Sequence, residues 1–295
     1  MRTYQQIKTD LEQSISNCAT TNLTLTNALT NIKNSIEDVI VDSGNTGKGN
    51  LIRTKKLINL LHEVVKSEFS KLGVNDSLIL PPKGFSNGEL KLAGILKSKD
   101  QDVSIVPNNE TALSEVLLTE GILKNTTDSY GHNLTEKTLT VNVRSQLSSF
   151  AKNFDTLYER TFAEAFNLHK RCPKMVLGES YMIAVNEYDT DDAKAKTVSF
   201  TQTNNIERHI EKYLLAFDAI NGRTSVTDDL HMYEKVCLLI VDFNTLKVYN
   251  TDAELKQDGL LPQNSNATIQ NLTFNRFFQD LIAVYNSRFG TGRFT

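Results

Sequence analysis

The spacing of apolar residues changes near residue 89, and this change constrains the fold more than any other feature of the chain. Over residues 2–40 and 51–71, apolar side chains recur every three or four positions, which is typical of amphipathic helices. The polar stretch SGNTGKGN (43–50) predicts a loop between them, and its spacing does not match a phosphate-binding loop. Beyond residue 89 the apolar runs become short and rich in β-branched side chains, as in strands. The pattern therefore predicts a helical first part followed by mixed strands and helices.

The second part of the chain supplies the elements of a sheet. We expect its first two strands to pair as a hairpin across the polar turn KSKDQ, and the polar region 108–136 to be an insertion or a recognition loop. The whole chain (1–295) is predicted to be one α/β domain, a central mixed sheet of about five strands with helices on both faces. Its parts are an N-terminal helical segment at 1–50 and a core at 51–185. The predicted strands are 89–96, 102–107, 138–144, 174–185 and 233–243, and the predicted helices are 154–169, 205–221 and 273–289.

The composition excludes several classes of protein. The net charge of −3 argues against a uniformly cationic coat protein but is compatible with a locally basic cleft. The three cysteines have no CxxC spacing, which argues against a disulfide framework and a zinc knuckle. No apolar run approaches the roughly 20 residues of a membrane helix, and the N-terminal residues lack the apolar stretch of a signal peptide. We expect a cytoplasmic protein that makes no membrane contact.

Two passages of the predicted core carry a family resemblance. The second predicted strand begins KSKDQDVSIVP and contains Asp102, and the third continues as VNVRSQLSSFAKNFD into a helix. With the order of elements between about 51 and 185, these passages resemble the core of the PD-(D/E)XK nuclease superfamily, to which many type II restriction endonucleases belong. The resemblance covers about half of the chain. It implies a restriction-endonuclease-like fold and Mg²⁺-dependent hydrolysis of double-stranded DNA at a specific site.

The resemblance assigns roles to residues of this chain, with one departure. Asp102 occupies the position of the family's strand Asp, a metal ligand. The family's acid-x-Lys pair reads Asn142-Val143-Arg144 here, so the acid is missing and Arg replaces Lys. A Glu on the first core helix, here Glu63, is a further metal ligand that the resemblance implies. Mg²⁺ prefers carboxylate oxygens, and a neighbouring cation steers the attacking water, which explains the residue types.

The missing acid has two interpretations. In the first, the acid has moved to the following helix, as in some related restriction endonucleases. Glu159, 15 residues after Arg144, then joins Asp102 as metal ligand and catalytic residue, Glu164 follows five residues later, and Arg144 or Lys152 supplies the cation. In the second, the site is degenerate and the chain is a catalytically inactive DNA-binding protein on the same fold.

Each candidate also has a purely structural interpretation. Asp102 would be a solvated turn residue, Arg144 would form a structural ion pair with Glu159, and Glu63 would be an exposed helix residue. The sequence Glu89-Leu90-Lys91 also spells acid-x-Lys but precedes Asp102, so it ranks second as a site.

The implied partner is double-stranded DNA. Cleavage of both strands of a palindrome favours a homodimer, with residues 2–40 or 273–289 as its interface. The Asn-, Thr- and Ser-rich stretches 108–136 and 186–206 are candidates for base contacts. The slightly negative net charge also leaves a third possible function, that of an interaction protein that does not bind nucleic acid.

Overall fold

The computed structural model describes residues 2–118, 121–148 and 150–295, and the side chains of all of these except 150 and 151. The helices of this part are α1 (Tyr4–Asn17), α2 (Leu25–Arg53), α3 (Lys55–Lys71), α4 (Gly131–Lys137), α5 (Phe150–His169), α6 (Thr190–Lys194), α7 (Ile206–Ala219), α8 (Asp252–Gln257) and α9 (Phe274–Phe289). The strands are β1 (Ile79–Leu80), β2 (Leu90–Ala93), β3 (Ser98–Gln101), β4 (Val103–Ile105), β5 (Glu115–Val116), β6 (Thr127–Asp128), β7 (Leu139–Gln146), β8 (Val176–Ala184), β9 (Asn186–Tyr188), β10 (Phe200–Gln202), β11 (Lys235–Asp242) and β12 (Lys247–Tyr249).

A mixed sheet in the order β1-β4-β7-β8-β11-β12 forms the centre of the fold. The strands β7, β8 and β11 run parallel to one another, whereas the pairs β1–β4, β4–β7 and β11–β12 are antiparallel. All nine residues of β8 are buried, as expected for a central strand whose two faces are both covered by helices. The predicted α/β class with a central mixed sheet flanked by helices is confirmed.

The helices divide between the two faces of this sheet. Val141 and Val143 of β7 belong to the core that contains apolar residues of α1, α2, α3 and α9. Because side chains alternate along a strand, Asn142 and Arg144 point to the opposite face. That face carries the second core, in which residues of α5 and α7 pack against β8 and β11. Polar side chains of β7 thus lie beneath α5, and this placement creates the site described below.

The N-terminal helices differ in extent from the sequence prediction. The predicted helix 2–40 is interrupted between Asn17 and Leu25, and the predicted loop 43–50 is helical, with a kink where Gly44 adopts φ +64°. Packing of α6 against α2 buries this stretch, and a Cβ on Gly44 would lie only 3.1 Å from the backbone oxygen of Ala193. The glycines of this stretch predicted a loop because glycine has a low helix propensity. In the folded chain, α6 approaches so closely that Gly44 leaves little room for a side chain.

The predicted hairpin has a different partner from the one expected. Strand β2 pairs with β3, which is the segment assigned to the turn, and β4 pairs instead with β1 and β7. Residues 89–96 therefore contribute a hairpin outside the central sheet. Strand β3 escaped notice because its sequence, SKDQ, is polar throughout. The strands β1 and β12 were also missed, since they have only two and three residues.

The polar region 108–136 contains the short β5–β6 hairpin and most of α4, and α5 begins at Phe150, a few residues before the predicted start at 154. Residues 119 and 120 of this region, and residue 149 just before α5, lie outside the described residues. Among the helices that the structure describes, none is long and apolar enough to cross a membrane. The three cysteines are free thiols, and each of them is buried.

Candidate active site

Four charged side chains meet on the face of the sheet that lies beneath α5. They are named the open cluster: Lys99 of β3, Arg144 of β7, Glu164 of α5 and Glu179 of β8. Part of each cation reaches solvent, since 25% of the Lys99 side chain and 17% of the Arg144 side chain are exposed. Glu179 is fully buried and Glu164 nearly so. The cluster thus extends from the protein interior to the surface.

Direct hydrogen bonds connect the four groups. Arg144 Nε donates to Glu179 Oε1 at 2.7 Å, and a terminal nitrogen of Arg144 donates to Glu164 Oε2. Lys99 Nζ donates to the same oxygen of Glu164 at 2.5 Å and lies 3.5 Å from Asn142 Oδ1. Two cations therefore neutralise two carboxylates, and Arg144 lies between both.

Strand register explains why residues so far apart in sequence converge. Asn142 of β7 pairs directly with Glu179 of β8, and alternation brings Arg144 to the same face of the sheet. Glu164 approaches from α5 above them. On the same helix, Asn167 lies one turn further, and its side chain binds the backbone of residues 96 and 97. This contact holds the β2–β3 hairpin against α5 and with it Lys99.

Burial changes the protonation of the cluster. It raises the pKa of Glu179 to about 7, although the charge of Arg144 opposes the change. Burial by itself would lower the pKa of Arg144, but the carboxylates of Glu179 and Glu164 outweigh it and raise that pKa. Arg144 therefore stays charged, while the carboxyl group of Glu179 gains and loses a proton near neutral pH.

The donor set of the open cluster fits a hard divalent cation. Within the described residues, the ion pairs engage Oε1 of Glu179 and Oε2 of Glu164 and leave the other oxygen of each carboxylate without a hydrogen bond. Oε2 of Glu179 is completely buried, so its lack of a partner is energetically costly. Mg²⁺ commonly takes one or two protein carboxylates and completes its shell with water and substrate phosphate. In the part of the chain that the structure describes, no group of three His, Cys, Asp or Glu side chains is arranged around a single metal position.

Asp102 lies beside the cluster at the edge of the sheet. Its Oδ2 accepts a hydrogen bond of 2.8 Å from the backbone nitrogen of Val143, which stands between Asn142 and Arg144. Asp102 also interacts electrostatically with His62 of α3, whose pKa burial lowers to about 4. The structure thus places Asp102 next to the strand that carries Arg144, as the sequence resemblance implies, although no described hydrogen bond or ion pair joins it to the cluster.

The structure does not bring Glu159 or Lys152 into this cluster. Both are exposed on α5, whereas Glu164 is buried. At 100° per residue, Glu159 and Glu164 are about 140° apart around the helix axis, so they face different surroundings. The helix acid that meets Arg144 is therefore Glu164, and the ion pair considered between Arg144 and Glu159 is not among the described contacts.

Glu63 is also placed elsewhere, and it is not the exposed residue that its structural interpretation assumed. It is buried, forms an ion pair with Lys66 at 2.6 Å, and accepts a hydrogen bond from the backbone nitrogen of Gly84. Burial raises the pKa of Glu63. Glu89 forms a loose ion pair with Lys55 at 3.6 Å, and Lys91 is exposed, so this second acid-x-Lys does not assemble a site.

Sequence reasoning missed two members of the open cluster. Lys99 was hidden in the segment taken for a turn, and Glu179 is a single acid inside the apolar strand KMVLGESYMIAV. An acid in the middle of a fully buried strand is unusual, because a buried charge needs a partner. That position was the signal that could have identified Glu179.

A second group of charges lies around the start of β8 and of β11 and is named the closed cluster. Glu234 accepts hydrogen bonds from Arg223 at 2.8 Å and Arg288 at 2.7 Å on one oxygen, and from the backbone nitrogen of Leu177 on the other. His169 Nε2 lies 3.3 Å from that second oxygen. The members of this cluster are almost entirely buried.

Comparisons with known proteins add little to this geometry. No model of a known protein family matches the chain, and no curated protein matches it. A solved structure described as a complex of restriction endonuclease PspGI with substrate DNA aligns over 97% of this chain and 94% of its own, with 9% sequence identity and a TM-score of 0.36. At that similarity the fold and the site rest on the observations made on this chain itself.

Proposed function

We propose that this chain is a Mg²⁺-dependent endonuclease that cleaves double-stranded DNA at a specific site, in the manner of a type II restriction endonuclease. The observation that carries the proposal is the open cluster. Two carboxylates, each with one oxygen outside the ion pairs, lie beside two cations that reach solvent. Asp102 lies next to them on the strand edge. This combination provides ligands for a hard cation and positive charge for a phosphate in one place.

The roles follow from the position of each group. Glu164 and Glu179 would hold Mg²⁺, which when bound would supply a Lewis acid for the scissile phosphate. Asp102, which accepts the backbone N–H of Val143, would position the neighbouring Arg144. Lys99 and Arg144 stabilise the negative charge that develops on the phosphate oxygens as water attacks phosphorus. The attack forms one P–O bond and breaks another, and the departing sugar oxygen takes a proton. In this proposal Glu164 takes the part that the sequence assigned to Glu159, because Glu164 is the helix acid beside Arg144.

Cutting both strands of a two-fold symmetric site is most simply achieved by a homodimer, and we include that assembly in the proposal. Light scattering at micromolar concentration, with and without DNA, measures it. A mass corresponding to one chain under both conditions contradicts this part of the proposal.

Digestion of a long DNA of known sequence is the direct test. We expect discrete fragments in the presence of Mg²⁺ and intact DNA with a chelator. Asp102→Asn and Glu164→Gln should each reduce the rate by about a thousandfold, roughly 4 kcal/mol in the activation barrier. Glu159→Gln is the matched control on the same helix and should cleave at the wild-type rate. Loss of cleavage with Glu159→Gln but not with Glu164→Gln would reverse the assignment.

A catalytically inactive DNA-binding protein on this fold is the second candidate. The charge balance of the open cluster favours it, since Lys99 and Arg144 already neutralise both carboxylates, and Asn142 stands where the related nucleases have an acid. Sequence-specific binding of DNA that stays intact over a range of Mg²⁺ and Mn²⁺ concentrations would establish this candidate instead.

A further inference from the structure

A polar cleft of about 560 Å³ separates the β2–β3 hairpin from the β5–β6 hairpin and the segment that follows it. It is named the hairpin groove. The groups that could contact a ligand there are exposed lysines and hydroxyls: Lys91, Lys97, Ser98, Thr127 and Ser129. Lysine and hydroxyl side chains are the common partners of phosphate oxygens in protein–DNA contacts.

The acids at this groove are already neutralised. Asp128 is buried in its wall and accepts a hydrogen bond of 2.6 Å from Arg171, which also forms an ion pair with Glu115. Arg171 donates in addition to the backbone oxygen of Ala93 in β2, so one guanidinium joins both hairpins. In contrast, no ion-pair partner of Lys91 or Lys97 is found among the described residues. The groove therefore presents two lysines that the carboxylates of its wall do not neutralise, and Lys91 lies opposite the exposed Asp100 in the β2–β3 pairing.

The backbone that carries one of these lysines is fixed in place. The side-chain oxygen of Asn167 accepts hydrogen bonds from the backbone nitrogens of Leu96 and Lys97, and its nitrogen donates to the backbone oxygen of Lys97 at 3.0 Å. Gly94 permits this contact, because a Cβ there would lie 2.2 Å from the Asn167 side-chain nitrogen. Preorganisation of this kind reduces the entropy that is lost on binding.

The groove and the open cluster lie on the two faces of the β2–β3 hairpin. Lys97 and Lys99 are two residues apart, about 7 Å along an extended chain. Lys99 reaches Glu164 in the open cluster, and Ser98 between them lines the groove. A duplex that places one phosphate at the open cluster therefore has further phosphates within reach of the groove, across the width of one hairpin.

We propose that the hairpin groove binds the sugar–phosphate backbone of DNA next to the phosphate that is cleaved, through Lys91 and Lys97. This inference rests on the proposed function and adds a contact surface to it. The surface positions the duplex and contributes affinity that is independent of base sequence, since phosphates carry no base information.

The salt dependence of DNA binding tests this surface. Each phosphate contact releases condensed counterions, so the logarithm of the binding constant falls with the logarithm of salt concentration by about 0.9 per contact. The double variant Lys91→Gln/Lys97→Gln should lower that slope by about 2 on a duplex of mixed sequence, measured without divalent ions. The control Lys71→Gln/Lys174→Gln removes the same charge from exposed lysines outside the groove and should leave the slope within error of the wild type.

The outcomes separate this inference from the proposed function. If the wild-type protein binds or cleaves DNA and the groove variant shows the same salt dependence, the proposed groove contact is wrong and the proposed function is unaffected. An equal loss in the control variant also overturns the groove contact, because the effect would then reflect net charge alone. Absence of salt-dependent DNA binding by the wild-type protein overturns both. The unfolding midpoint of the groove variant should match that of the wild type, since both lysines are exposed.

Discussion

Each of the two clusters surrounds a fully buried glutamate close to β8 and α5, yet the carboxylate oxygens of the two glutamates are satisfied to different degrees. In the closed cluster, both oxygens of Glu234 accept hydrogen bonds, and solvent does not reach the group. In the open cluster, one oxygen of Glu179 is buried without a partner, and both cations reach solvent.

The pKa shifts of the two buried acids point in opposite directions. Burial alone would raise the pKa of Glu234, but His169, Arg288 and the backbone nitrogen of Leu177 outweigh it and hold that pKa below its usual value. For Glu179, burial prevails and raises the pKa to about 7. Partners on both oxygens stabilise the charge of Glu234, although Nε of Arg223 and Nε of Arg288 have no hydrogen bond within the described residues. The unpartnered oxygen of Glu179 instead leaves binding capacity for a ligand. The comparison therefore indicates that the closed cluster stabilises the fold, whereas the open cluster keeps capacity to bind a ligand.

The largest effect should come from breaking the closed cluster. Glu234→Gln leaves Arg223 and Arg288 buried without a counter-charge, and we expect a loss of about 3–5 kcal/mol in the free energy of unfolding at pH 7. Urea denaturation followed by circular dichroism measures it. The exposed control Glu159→Gln should change stability by no more than about 0.5 kcal/mol. A loss below 1 kcal/mol for Glu234→Gln would remove the distinction between the clusters.

The same variant should show a defined pH dependence. Because the pKa of Glu234 is lower in the folded protein than its unfolded value of 4.5, its charge stabilises the fold above pH 4.5. That contribution is lost as the pH falls through the folded pKa. The difference in unfolding free energy between wild type and Glu234→Gln should therefore be constant near neutral pH and shrink below pH 4.5. A difference that grows on acidification would contradict the ion-pair interpretation.

An intermediate effect is expected at the contact that holds Lys99 near the open cluster. In Gly94→Ala the new Cβ would lie 2.4 Å from the backbone oxygen of Asn167, so the hairpin must shift, at a cost of about 1–3 kcal/mol. Thermal unfolding measures the cost. The control Gly49→Ala, where a Cβ meets no atom within 4 Å inside α2, should instead stabilise by up to about 1 kcal/mol. Equal changes in stability for Gly94→Ala and Gly49→Ala would show that the contact with α5 does not hold the β2–β3 hairpin in place.

The smallest stability effect should follow a change in the open cluster itself. In Glu164→Gln, Arg144 keeps its contact with Glu179, and Lys99 can turn toward solvent. We expect a loss of about 1 kcal/mol or less, measured by the same urea denaturation. A loss as large as that of Glu234→Gln would place the open cluster among structural ion networks and weaken the proposed catalytic role.

The candidate site residues show which positions the sequence could bring together and which it could not. Asp102 and Arg144 could be selected because each is adjacent to an apolar strand whose pattern identifies it. The choice between Glu159 and Glu164 depends on how α5 is rotated against the sheet, and residue spacing alone does not define that rotation. Lys99 comes from a polar hairpin that has no apolar pattern, so no periodicity indicated that it would approach Glu164.

The sequence by itself determined the class of the fold, because apolar periodicities are local properties that identify strands and helices without knowledge of their neighbours. It gave four of the six strands of the sheet and the helices that cover it, α5, α7 and α9 among them. Only the tertiary structure decided which charges meet. Convergence of Lys99, Arg144, Glu164 and Glu179 depends on strand register and on the rotation of α5, and the burial that follows raises the pKa of Glu179. All three arise from contacts between residues far apart in the chain.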